Sequence, residues 1–185
     1  ALYPGLSAEG TPGALTPGAD LIDLRQQSGG HVLVDAGAAN DTVYGGPVSA
    51  TIVAGAGNDT VTGSTGGDLI IGDGALRMDR ITGLAHIEAL NTSGADTISL
   101  GSGAGVVFGD HAAANNITAW NGALPATIST SGTGGVDQIT AGSGLNILVG
   151  GGAVDQILAT NSGAGSMIFG DGAEITFTGE MGQIH

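Results

Sequence analysis

Aspartates recur along this chain within a nine-residue phrase: glycines, then Asp, then a spacer, then an aliphatic side chain. Four unbroken nine-residue units run from Ala36 to Ile71: AGAANDTVY, GGPVSATIV, AGAGNDTVT and GSTGGDLII. Further copies are NTSGADTIS (91–99) with LGSGAGVVF (100–108), and GTGGVDQIT (132–140) with AGSGLNILV and GGGAVDQIL up to Leu158. An earlier unit, 15–23, places Asp20 in the same frame. If two nonads make one coil, residues 18 apart stack, and Asp41 then lies over Asp59 and Asp137 over Asp155. Asp20 joins the Asp41 column if a three-residue insertion bulges out. Calcium takes six to eight oxygens at about 2.3–2.6 Å from carboxylates and carbonyls. A glycine turn offers carbonyls and one carboxylate, and the stacked turn offers the same from the other side. The bland alternative is an Asp that only bonds its own turn. Two 18-residue pairs inside one nine-residue frame favour calcium.

The elements that must position these carboxylates follow from the same period. Asp or Asn tends to fall at position 6 of the nonad and an aliphatic residue at position 8: Val43, Ile52, Val61, Ile70, Ile98, Val107, Ile139, Leu148 and Ile157. Positions 7 to 9 form a short strand with position 8 inward and its neighbours outward. Thr42, Thr51 and Thr60 at position 7 suit such a strand. A single coil cannot bury its aliphatic residue; stacked coils can.

Composition agrees. Glycine supplies 37 of 185 residues without a triplet period, which excludes collagen. Aromatics are only 3%, so the core is thin layers of small branched side chains. Seventeen acids against three basic residues give −14, the wrong sign for a nucleic-acid partner. There is no cysteine, hence no disulfide or thiolate site. No stretch approaches the ~18 apolar residues of a transmembrane segment. The first residues lack a starting Met and a signal-peptide pattern, as expected of a piece or a processed form of something longer.

The pattern resembles the RTX calcium-binding repeats, consensus G-G-x-G-x-D-x-U-x, over most of 15–169. The resemblance implies an all-β fold: a right-handed parallel β-roll or β-helix solenoid of nine-residue half-turns, with irregular linkers between blocks. One domain over 1–185 is expected, with blocks near 15–75, 91–112 and 132–173 and linkers 1–14, 76–90, 113–131 and 174–185. The cofactor implied is Ca2+. Its expected ligands are Asp20, Asp41, Asp59, Asp68, Asp96, Asp137 and Asp155, with Asn146 at the same nonad position. Position 6 is Ala50, Gly105 or Ser166 elsewhere, so a few good sites are expected rather than a full ladder. Asp68 would stack on Ala50, without a paired carboxylate, and its loss should matter less than that of Asp59.

Each block ends in Gly-Asp, at Asp73, Asp110 and Asp171. These are read either as turns closing each block or as additional calcium sites. His31, His86, His111 and His185 are scattered and read as lone surface residues. Trp120 and Tyr44 read as packing aromatics. No nucleophile, base and orienter can be assembled, so no enzyme is expected.

The resemblance implies an extracellular or cell-surface protein: a calcium-stabilised stalk, adhesin, surface-layer or fibre segment. The competing reading is a non-catalytic accessory module of a secreted hydrolase or polysaccharide-acting enzyme. The chain's two ends look like continuations of one another, which predicts a tandem array or head-to-tail self-association.

Overall fold

A computed structural model of the chain describes residues 17–78, 81–82, 84–118, 127–130, 133–159 and 164–176. The expectations for Trp120, His185 and the opening linker fall outside them. The strands in chain order are β1 (Leu21–Asp23), β2 (Val32–Asp35), β3 (Thr42–Tyr44), β4 (Ala50–Val53), β5 (Thr60–Thr62) and β6 (Asp68–Ile71). Then come β7 (Ala75–Met78), β8 (Leu84–Glu88), β9 (Thr97–Ser99), β10 (Gly105–Phe108), β11 (Ala112–Thr118) and β12 (Thr127–Thr130). The last are β13 (Gln138–Thr140), β14 (Asn146–Gly151), β15 (Gln156–Leu158), β16 (Ser166–Asp171) and β17 (Glu174–Thr176). No helix occurs among the described residues, so none is long and apolar enough to cross a membrane.

Two six-stranded parallel sheets form the solenoid. One runs β1-β3-β5-β9-β13-β15 and the other β2-β4-β6-β10-β14-β16. The registers follow the nonad frame: Val43 pairs with Val61 and Val61 with Ile98, while Ile52 pairs with Ile70 and Ile70 with Val107. The position-8 side chains of both sheets meet between them in one core with Val34, Ala50, Ala54 and Ala141. Beta-branched residues suit this gap because each short strand offers a single inward position. The three-residue insertion after β1 is absorbed by a turn at Arg25–Gln26, closed by Gln27 N–H donating to Leu24 O at 2.9 Å.

The segments expected to be irregular linkers contribute strands instead. Strands β7, β8, β11, β12 and β17 make a third sheet, antiparallel throughout, in the order β17-β12-β11-β8-β7. It packs on the outer face of the second solenoid sheet. There Val53, Leu69, Ile71, Val106, Phe108, Ile147 and Val149 meet Ala85, Ile87, Ala112, Ala114 and Ile128. Positions 7 and 9 were expected to face outward, and they do leave the solenoid core, but on this sheet they enter a second core. Burying each such Leu, Ile or Phe contributes about 1.5–3 kcal/mol, so this second core is a main source of stability. The first sheet carries Thr42, Thr60, Thr62, Thr97 and Ser99 at the equivalent positions, and its outer face has no such cover among the described residues.

A candidate calcium column on one edge

Every strand of the first sheet is preceded by a turn ending in aspartate: Asp20, Asp41, Asp59, Asp96, Asp137 and Asp155. These six form one continuous column. The amide of each donates to the Oδ1 of the next: Asp20 to Asp41 at 2.7 Å, Asp41 to Asp59 at 2.7 Å, Asp59 to Asp96 at 2.8 Å, Asp96 to Asp137 at 2.8 Å and Asp137 to Asp155 at 3.0 Å. The sequence separations along it are 21, 18, 37, 41 and 18 residues. The two long steps are those in which the chain leaves to build the third sheet and returns in register. The two 18-residue pairs are therefore parts of a single column that also contains Asp20 and Asp96. Beside it, Asn40 Oδ1 accepts from Asn58 N–H and Asn58 Oδ1 from Ala95 N–H, both at 3.0 Å.

The second oxygen of each carboxylate is the informative one. Oδ2 of Asp41, Asp59, Asp96, Asp137 and Asp155 is buried and has no hydrogen-bond partner. Leaving a charged acceptor buried and unmatched costs several kcal/mol in water-free surroundings, so such a row demands a cation or protons. Burial, then the neighbouring carboxylates, raise Asp59 to about 6, Asp137 to about 7 and Asp96 to about 9, despite backbone hydrogen bonds that oppose the shift. Asp41 is raised in the same way. The donors are all hard oxygen, with neither sulfur nor imidazole in the row, which suits calcium over zinc or copper.

Turn geometry supports close stacking of the coils. Gly55 has φ +112°, and a side chain there would collide with the Gly37 carbonyl of the coil beneath. Only glycine tolerates both conditions.

The block-ending aspartates join the same edge. Asp73 is fully buried, and both its oxygens accept from Gly94 N–H, at 3.1 and 3.0 Å, 21 residues away. Asp110 accepts from Gly135 N–H with Oδ1 and from Gly152 N–H with Oδ2, each at 2.6 Å. Burial, followed by the carboxylates of Asp110, Asp137 and Asp59, lifts Asp73 to about 7. Each of the two sits where the chain departs for the third sheet, and each grips the turn at which it comes back. Asp171 occupies the equivalent place, paired with Gly151, and is exposed.

The opposite edge has different chemistry. Its position-6 residues are Val32, Ala50, Asp68, Gly105, Asn146 and Ser166, aligned by strand register. Asp68 does face Ala50, as the register required, but its carboxylate is not idle. Oδ1 accepts from Ser64 Oγ at 2.6 Å and Ala50 N–H at 3.0 Å, and Oδ2 accepts from Ser64 N–H at 2.6 Å. Asn146 donates its amide to the carbonyls of Gly142 at 3.0 Å and Gly144 at 2.8 Å, putting N–H groups among turn carbonyls. The turn before β6 is closed by its own hydrogen bonds, whereas Asn146 Oδ1 stays buried without a partner.

Two histidines correct the surface reading. His111 is 2% exposed, with Nε2 2.9 Å from Thr92 O, and His31 is half-buried against Thr51 Oγ1 at 2.9 Å. His111 follows a buried turn at Gly109–Asp110, whereas the turn before His31 is exposed. Tyr44 lies under the Arg25 guanidinium, 4.7 Å from its ring centroid.

An all-β solenoid of stacked parallel half-turns is the architecture of a β-roll, and its one-sided carboxylate column is a candidate calcium edge. A comparison with known families makes the assignment concrete: the RTX calcium-binding nonapeptide repeat matches residues 28–47, 49–75 and 131–161, in four copies. Those segments, 78 of the 185 residues, are similar to RTX repeats, a non-catalytic calcium-binding module found in secreted bacterial proteins. Neither the curated proteins nor the solved structures compared with the chain give a match. Asp20, Asp96, Asp110 and Asp171 lie outside the matched segments. The signal for Asp96 and Asp110 is nevertheless present in sequence, in TSGADTIS and VFGDHA.

Proposed function

We propose that the chain is a calcium-stabilised structural segment of a secreted or cell-surface bacterial protein, a stalk, adhesin, surface-layer or fibre component folding as one unit. The row of buried, unpartnered Oδ2 atoms carries this reading. The ions are held by Asp20, Asp41, Asp59, Asp96, Asp137 and Asp155, with Asp73 and Asp110 contributing from the block ends. Asp68 and Asn146 close turns on the other edge. Calcium supplies the positive charge that lets the coils stack with ionised carboxylates, so binding energy becomes folding energy.

Head-to-tail association belongs to the same reading. Leu21 is exposed on the outermost described strand of the first sheet, and Leu158, Met167 and Ile168 are exposed at the far end. Contacts between unlike ends do not close and therefore grow. Circular dichroism, analytical ultracentrifugation and electron microscopy with and without calcium test the proposal. Loss of β-signal in chelator and calcium-dependent filaments are expected. Unchanged folding in excess chelator would sink the calcium role, and a monomer at high protein and calcium would sink the fibre role.

A further inference from the structure

Within the calcium reading, we propose that Asp110, Asp137 and Asp155 form a composite divalent-cation site that ties the second chain excursion, β11 and β12, to the column. One carboxylate oxygen from each lies within 4.8 Å of the others. Three oxygens inside that span need draw together only slightly to share an ion at about 2.4 Å from each. Asp137 is 0% exposed, and its Oδ2 and that of Asp155 have no partner. Three glycines make room for the convergence: a side chain on Gly109 would collide with Asp137 Oδ2, on Gly150 with Asp155 Oδ2 and on Gly151 with Asp110 Oδ2. Two of the three acids occupy nonad position 6. The third does not belong to the nonad pattern, and comes from the Gly-Asp at the end of β10.

The connectivity gives the site a role beyond that of an ordinary rung. Asp110 stands where the chain leaves for β11, and it already holds the returning turn through Gly135 N–H and the next coil through Gly152 N–H. An ion on Asp110, Asp137 and Asp155 joins the end of β10 to the turns before β13 and β15. It thereby closes the loop out of which β11 and β12 are laid over the second sheet. Asp73, the counterpart in the first block, spends both oxygens on Gly94, and no comparable trio forms around it among the described residues.

Calcium titration calorimetry on the full chain tests this with D110N, D155N, the double variant and D59N. Losing one charged ligand of three should weaken one ion roughly ten- to a hundredfold. D110N and D155N should each weaken that same ion, the double variant should abolish it while sparing the others, and D59N should affect a different one. Unaltered stoichiometry and affinity in D110N, or the weakening of two different ions in the double variant, overturn the composite site. Absence of calcium binding in the unsubstituted chain instead overturns the parent reading. If D110N does not fold, D155N decides alone, because Asp155 Oδ2 has no hydrogen bond to lose. Calcium should then increase hydrogen-exchange protection at 112–118 and 127–130 in the unsubstituted chain and D59N but not in D155N. Equal protection in all three refutes the proposal.

Discussion

Raising the pH should unfold the calcium-free chain and stabilise the calcium-loaded one. In the folded state Asp59 stands at about 6, Asp73 and Asp137 at about 7 and Asp96 at about 9, against 3.8 for each ordinarily. All four are raised, so the folded chain binds more protons than the unfolded chain. The stabilisation is complete below pH 3.8 and is lost as pH climbs through the folded values. At pH 7 the folded chain retains about two protons on these groups and the unfolded chain almost none, a slope of about 3 kcal/mol per pH unit. Between pH 5 and 8 the loss is on the order of 10 kcal/mol, comparable with the whole stability of a domain. Calcium requires the ionised oxygens, so its binding expels these protons and reverses the trend. Urea unfolding followed by circular dichroism at pH 5, 6, 7 and 8, in metal-stripped buffer and in millimolar calcium, measures both slopes. A calcium-free stability that stays level or rises from pH 5 to 8 would refute the reasoning, since the column would then not be protonated in the fold.

Other outcomes follow from single contacts. Asp59→Ala should reduce calcium affinity, whereas Asp68→Ala should cost about 2–4 kcal/mol with or without calcium, because it strands buried Ser64 and Ala50 donors; titration of melts against calcium separates the two, and equal calcium dependence would show the edges to be alike. Val61→Asp puts an unpaired charge in the inner core and should abolish folding even at saturating calcium, checked by circular dichroism. Phe108→Ala should cost about 3–5 kcal/mol by emptying the second core, read from denaturation midpoints; a cost below 1 kcal/mol would mean that the third sheet does not pack there. Magnesium at the same concentration should restore little of the melting temperature lost in chelator, because its smaller octahedral shell fits carbonyl turns poorly.

What the sequence determined by itself is the repeating unit. The nine-residue period, the aliphatic residue at position 8 and the glycines before each Asp specify stacked half-turns, because a strand of three residues has only one inward position and a coil cannot bury it alone. The Asp41–Asp59 and Asp137–Asp155 pairs were legible for the same reason: their 18-residue spacing is one coil. The third sheet was also written in the chain, as apolar positions 7 and 9 at Val53, Leu69, Ile71, Val106, Phe108, Ile147 and Val149, where the first sheet has Thr and Ser. That signal emerges only when alternate nonads are compared, and it does not say what covers the face. Tertiary structure alone decided the rest. It joined Asp59 to Asp96 and Asp96 to Asp137 across 37 and 41 residues, since the length of an excursion carries no information about where it returns. It brought Asp110 to Asp137 and Asp155. It also divided similar position-6 residues between two fates, because an orphaned oxygen or a satisfied one depends on which N–H of the neighbouring coil the stacking presents.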